Sequence, residues 1–305
     1  MPLEILNDAA IQRRRKWIAE IANISGKFDD DISKLIRNLT AELKQDGVSA
    51  LLDHLRLCGS IPEHYRHGSS EEKLYSKYTD AVLSAAYEHI GLTSIVLTER
   101  ADSADVEAVA EDYSLVADAK VFRLSRTAKN QKDFKIDALD RWKHGKPHAM
   151  VVSPIYQLPA RKSQIYQQAI ARNVCIFSYS HMAVLVRFSE LVGKRQARDL
   201  LLKILRCAEA LNPTKDSVGY WGCIHRQMLI ADSAIGPLWQ GEEIATLESI
   251  EVAKEEALTM LALEREQIMR MSRDEAIRFL MLDRNLDGRE KVIQALSDNL
   301  ILSIS

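Results

Sequence analysis

The residues best equipped for chemistry lie at the end of one apolar run, where Asp118-Ala119-Lys120 closes the segment Leu115–Lys120. Side chains on a strand repeat every two residues, so a strand here projects the carboxylate and the ammonium from one face. A carboxylate oxygen is a hard ligand suited to Mg2+, which takes one or two carboxylates and fills its shell with water and substrate oxygens. Such an ion lowers the pKa of bound water and polarises a phosphoryl oxygen. A lysine beside it can stabilise transition-state charge or position the attacking water. The pattern implies phosphodiester hydrolysis, with Asp118 as metal ligand, the Ala119 carbonyl as a second oxygen and Lys120 as the catalytic cation.

A basic run follows at once. From Lys120 to Lys135 there are six basic residues and one acid, Asp133. A charge run by itself is usually a solvated surface; directly behind an Asp-x-Lys it reads as a DNA-contacting loop. Asparagine pairs with adenine N6 and N7, lysine or arginine donates to guanine O6 and N7, and a carboxylate accepts from cytosine N4. Asn130, Lys132 and Asp133 supply those chemistries within the stretch Ala128–Lys135. Asp133 has two roles open to it, reading cytosine or assisting the metals. Lys129, Arg123 and Arg126 suit phosphates, which position a protein without specifying a sequence.

The segment LVADAKVFRLSRTAKNQKDFK, Leu115 to Lys135, resembles type II restriction endonucleases of the HindIII family, in the PD-(D/E)XK nuclease superfamily. Weaker stretches follow the same order: Ile61-Pro62-Glu63, Glu72-Lys73-Leu74, KSQIYQQAIARNVCIFSYSH at 162–181, and Ser272 to Ile277. Residues 193–245 match poorly. The resemblance implies a central mixed sheet with the active site at one end. It also implies Asp105 as partner carboxylate, thirteen residues before Asp118, with Ala104 where the pattern often has proline. Glu99 and Asp102 are alternatives to it, and Glu72 is either an outer ligand or a solvated acid at a helix start. Further implications are a pair of Mg2+ ions per site, the palindromic target AAGCTT cut between its adenines to leave 5'-phosphate ends, and a homodimer with one subunit per half-site. A companion DNA methyltransferase in the host would protect its genome. Two other readings stand beside this one: a structure-specific nuclease of the same superfamily, and a catalytically silent site-specific DNA-binding protein.

The composition agrees with a local rather than a global DNA surface. The chain has 305 residues, 47% of them hydrophobic, enough to bury a sizeable core. Its 41 Lys and Arg against 43 Asp and Glu give a net charge of −2, which excludes generic coating of nucleic acid. Residues 99–118 hold seven acids and one Arg, as a cation pocket would; residues 241–305 hold fourteen acids and eight bases, a poor surface to set against phosphates. No apolar run has the length of a membrane span and MPLEILNDAAIQRRRKW lacks a signal-peptide core, so a cytoplasmic prokaryotic protein without a membrane partner is expected. Cys58, Cys175, Cys207 and Cys223 form no C-x-x-C, so neither a zinc ribbon nor a disulfide framework is expected. Cys223 and His225 lack a partner pair and read as a buried thiol and an ordinary histidine. Asp283 to Gly288 imitates half a calcium loop, but Gln294 stands where glutamate is required, so a helix end with a Gly turn is expected.

The elements that must position these residues follow from periodicity. Ile32, Leu35, Ile36, Leu39 and Leu43 follow helical spacing, Asp46-Gly47 interrupts it, and Val48, Leu51, Leu52 and Leu55 resume it. Ser69-Ser70-Glu71-Glu72 opens a helix ending near Gly91. Strands are expected at 94–98, 105–110, 115–120, 149–152 and 174–177, with helices over 133–142, 163–172 and 244–270. The fold class is α/β (α+β): a mixed sheet flanked by helices. Residues 1–68 form an N-terminal helical region, 69–192 the catalytic and DNA-recognition core, and 193–305 a C-terminal helical region, all integrated. Leu247, Ile250, Ala257, Leu258, Leu261 and Ile268 form an apolar stripe that either packs into its own subunit or joins two subunits.

Overall fold

The computed structural model describes residues 3–97, 103–126 and 131–294, and its five strands make one mixed sheet. Strands β1 (Thr93–Val96), β2 (Val106–Val109) and β3 (Ser114–Ala119) form an antiparallel meander. Strands β4 (His148–Ser153) and β5 (Val174–Ser178) join β3 in parallel. In the β2–β3 register Val106 lies opposite Ala117. The start of an antiparallel strand adjoins the end of its neighbour, so Asp105, just before β2, comes beside Asp118 at the end of β3. Strand β3 is buried from Leu115 to Ala119, and β4 and β5 are buried along their whole lengths. Their near-continuous apolar runs, without polar alternation, are what parallel strands covered on both faces require.

Helix α3 (Ser70–His89) packs on β1, β2 and β3. The Ser69 hydroxyl caps it, accepting from the Glu72 amide at 3.3 Å, and Glu71 and Glu72 face the positive end of its dipole. Leu74, Tyr75, Tyr78, Ala81, Val82 and Ala86 form its buried stripe. Helix α2 (Phe28–Leu57) bends at Gly47, whose φ of 69° only glycine adopts cheaply, so the interruption read from Asp46-Gly47 is real.

The helix expected over 133–142 is two helices, α4 (Gln131–Phe134) and α5 (Ile136–Trp142). Phe134 and Ile136 are both buried, yet residues two apart on a helix point to nearly opposite sides. The chain resolves the conflict at Lys135, which takes a left-handed φ of 47° and leaves its side chain exposed.

Two compact units divide the chain, residues 1–257 and 258–305. In the first, helix α1 (Asp8–Ala22) inserts Arg14, which is buried and donates to Tyr75 Oη at 3.0 Å, Ser60 Oγ at 3.0 Å and Glu256 at 2.8 Å. Helices α8 (Lys194–Glu209) and α9 (Ser217–Ala231) are joined by a disulfide between Cys207 and Cys223, whose Cα atoms are 6.4 Å apart. This corrects the expectation of unpaired thiols: absence of C-x-x-C says nothing about cysteines that a helical hairpin brings together. The long helix α10 (Ile235–Arg270) buries Ile235, Leu238, Glu242, Ala245, Ser249 and Val252, while Leu247, Leu258, Leu261 and Ile268 of the expected stripe are exposed. In the second unit, α11 (Arg273–Asp283) and α12 (Leu286–Gln294) bury no residue. A helix does end at Asp283, but Asn285, with φ 47°, makes the turn and Gly288 lies inside α12. Among the described residues no helix is long and apolar enough to cross a membrane.

Candidate active site

A cleft of about 770 Å³ opens where β3 ends, between that strand end, α3, the start of α2 and the α4 segment. Its floor is acidic: Asp118 and Asp80 are each 1% exposed. Lys73 and Lys135, at its edge, are exposed. Buried carboxylates beneath a cationic rim suit a metal at depth and phosphate above it.

Asp118 ends an apolar strand, so burial is forced on it. Its Oδ2 pairs with Lys120 Nζ, as the two-residue spacing required. The Lys120 backbone is pinned on both sides, its amide donating to the Val152 carbonyl at 2.7 Å and its carbonyl accepting from Tyr179 Oη at 3.2 Å. Asp105 is within hydrogen-bonding reach of Asp118. Burial raises the Asp118 carboxyl to about 6, with Lys120 opposing that rise and Asp105 adding to it. Burial also pushes Asp105 up, but the Lys77 and Lys120 ammonium groups and a hydrogen bond with Asp118 together hold it below its ordinary value.

Two residues of this site were not singled out in the sequence. Asp80 on α3 is held well above the usual carboxylate range by burial, with Asp105 adding and Lys77 opposing. Lys77, one turn earlier, donates to Asp105 Oδ1 at 2.7 Å and lies 3.2 Å from Asp80 Oδ2. Lys73, Lys77, Asp80 and Ser84 recur at helical spacing through a largely apolar stretch, a signal available in the sequence. Such a stripe also marks a solvated helix face, and only the packing of α3 on the sheet distinguishes the two.

Asp133 lines the cleft and pairs with Arg126, whose guanidinium lies 5.3 Å from the Phe122 ring centroid. Lys135 reaches the same cleft, and Lys132 lies on α4. Arg123 turns inward instead, donating to Glu72 Oε1 at 3.1 Å and to the Tyr65 carbonyl. Glu72 also accepts from the Gly68 amide and thus braces the preceding loop, outside the residues that line the cleft. Ala128, Lys129, Asn130, Glu99 and Asp102 lie outside the described residues. The cleft therefore gathers Asp105, Asp118, Ala119, Lys120, Arg126, Asp133 and Lys135.

The donor set fits Mg2+. Among the described residues no group of three His, Cys, Asp or Glu side chains could hold a metal. Mg2+ does not need three, being held by one or two carboxylates with water and substrate. Asp118, Asp105 and the Ala119 carbonyl are the hard oxygens at hand, and the Lys77 ammonium on Asp105 shows that this carboxylate already attracts a cation.

Comparison with known proteins places the chain in a family. A sequence model of the HindIII restriction endonuclease family matches residues 15–297. The Type II restriction enzyme HindIII of Haemophilus influenzae is 40% identical over 172 residues, which cover 52% of this chain and 57% of that protein. The family match reaches from α1 to the last described helix and takes in every residue placed in the cleft, so the chain belongs to the HindIII restriction endonuclease family.

Proposed function

We propose that the protein is a type II restriction endonuclease that hydrolyses both strands of the palindrome AAGCTT between its adenines, with Mg2+, leaving 5'-phosphate ends. The observation that carries this reading is the Asp118–Lys120 pair at the end of β3, with Asp105 beside it on the floor of a cleft with a cationic rim. Asp118 and Asp105, with the Ala119 carbonyl, would hold the metal, which when bound supplies an acidified water and neutralises phosphoryl charge. Lys120 presents its ammonium beside the phosphate to be cut, where it stabilises charge building on the non-bridging oxygens or orients the water. The water oxygen would bond to phosphorus and give up a proton to solvent as the bond to the 3'-oxygen breaks, and that oxygen would take a proton from solvent to leave as a hydroxyl.

Residues Ala128 to Lys135 would read bases, Asn130 and Lys132 by paired hydrogen bonds, while Arg126 and Lys129 hold phosphates. Asp133 lines the same cleft beside Arg126 and would either assist the metals or read cytosine. Arg123 stands apart from this set, its guanidinium held by Glu72 and the Tyr65 carbonyl. In this reading residues 69–192 carry catalysis and recognition, and 1–68 and 193–305 are their helical supports. A palindrome calls for a homodimer, one subunit for each half-site. The exposed Leu258, Leu261 and Ile268, and two helices that bury nothing, leave apolar surface for a second copy to cover. The setting would be a prokaryotic cytoplasm with a companion methyltransferase.

The test is digestion of two plasmids, with and without AAGCTT, in Mg2+, followed by sequencing of the ends. Double-strand cuts confined to AAGCTT are expected. Cutting of supercoiled plasmid that lacks the site would make the protein a structure-specific nuclease. Site-specific binding without cutting at any metal concentration would make it a silent DNA-binding protein.

A further inference from the structure

Lysines on helices ordinarily carry their ammonium out to water along an apolar stem. Lys77 does the reverse. Its Nζ turns into the cleft, donates to Asp105 Oδ1 at 2.7 Å, approaches Asp80 Oδ2 at 3.2 Å and reaches the Leu97 carbonyl at 3.4 Å. Three oxygens, from α3, the start of β2 and the end of β1, thus surround one positive charge. Asp80 is 1% exposed and makes no hydrogen bond through Oδ2 beyond that ionic contact. Desolvating an ammonium costs several kcal/mol, about the same order as for a carboxylate, and is offset only where opposite charges converge. Here they do: Asp80, Asp105 and Asp118 repel one another across the same floor.

We infer that Lys77 is a resident counter-ion of the metal site: its ammonium occupies the Asp105 oxygen that a divalent cation would take, and loading must drive it off toward Asp80. The inference rests on the metal reading above. It makes Lys77 a positioning residue that sets cation affinity, and it fixes a sign. An ammonium close to a divalent cation repels it and competes for its ligand, so removing that charge must tighten metal binding. A lysine that merely held Asp105 in place would have the opposite effect when lost.

The test is calorimetric Ca2+ binding to the full-length protein without DNA. Lys77→Gln, which keeps a hydrogen-bond donor and loses the charge, is expected to lower the dissociation constant about tenfold, within the range over which neighbours of metal ligands act. Lys77→Arg, which keeps the charge, should stay near the parent value. Unchanged or weaker binding by Lys77→Gln overturns the inference. Should that variant not fold, the parent protein with 13C-labelled lysine gives the answer: the Lys77 ε-carbon resonance, assigned by its loss in Lys77→Arg, moves with the calorimetric midpoint if the ammonium is displaced. A resonance that stays still through saturation overturns it. Asp118→Asn separates the two readings. If it leaves Ca2+ binding intact, the metal reading itself fails; if it abolishes binding while Lys77→Gln has no effect, only the counter-ion fails.

Discussion

Replacing Asp118 by asparagine should abolish cleavage and yet make the metal-free protein more stable at pH 8. Burial raises this carboxyl from 3.8 to about 6 against the opposing pull of Lys120. Between those values the folded chain keeps a proton that the unfolded chain has lost, so rising pH favours unfolding. Below 3.8 the effect is absent, and above about 6 it is complete. At about 1.4 kcal/mol per pKa unit, the ionised carboxylate costs the folded state about 3 kcal/mol. Asparagine has nearly the shape of the neutral acid and carries none of that cost. The Lys120 pairing needs no separate correction, because its pull is already contained in the folded-state value. The assay is urea unfolding in EDTA, followed by tryptophan fluorescence, for parent and variant at pH 8, 6 and 4. The difference between the two proteins is the quantity to read. His54, His64, His148, His181 and His225 are all held low by burial, and they cost both proteins the same stability as pH falls below 6.5. The variant is expected to lead by about 3 kcal/mol at pH 8, less at pH 6, and almost nothing at pH 4. A variant no more stable than its parent at pH 8 would refute the reasoning.

Lys120→Ala should cut DNA about 10²-fold more slowly, or worse, in single turnover while binding it normally, the scale for losing one transition-state stabiliser; a near-parental rate would remove Lys120 from the chemistry. Arg126→Ala should weaken binding to all sequences alike and reduce the slope of log affinity against log salt by about one. Arg123→Ala should leave that slope unchanged and instead lower stability by about 1–3 kcal/mol, since its guanidinium serves Glu72 and Tyr65; a reduced slope for Arg123→Ala would place it on phosphate after all. Arg14→Leu should lower unfolding free energy by about 3–5 kcal/mol, because it strands Glu256 and the acceptors that Arg14 serves; an unchanged urea midpoint would show that the buried network contributes nothing net.

What the sequence disclosed, and what it withheld, divides along a physical line. Strand β3 and its Asp-x-Lys were legible because alternation and burial are local: one apolar run fixes both the strand and the shared face of its two charges. Asp105 came from the family pattern, with Glu99 and Asp102 open beside it; its place next to Asp118 follows from strand order, since an antiparallel neighbour brings the start of β2 to the end of β3. Lys77 and Asp80 belong to another kind of fact. Their spacing marks one face of α3, but whether that face meets water or the carboxylates of Asp105 and Asp118 depends on how α3 is rotated on the sheet, and that is set by distant residues such as Tyr75, which touches Arg14 of α1. Arg123 is a contrasting case: in the sequence it is one more base in a basic run, and the loop that holds Tyr65 and Glu72 against it turns it inward. The same limit governs the break at Lys135, where burial of both Phe134 and Ile136 overrides a helical pattern that local propensity would have continued. Residues whose role depends on neighbours in the chain could be read from it. Those whose role depends on what packs against them could not, and Lys77, whose ammonium lies on the ligand that the metal would need, belongs to that second group.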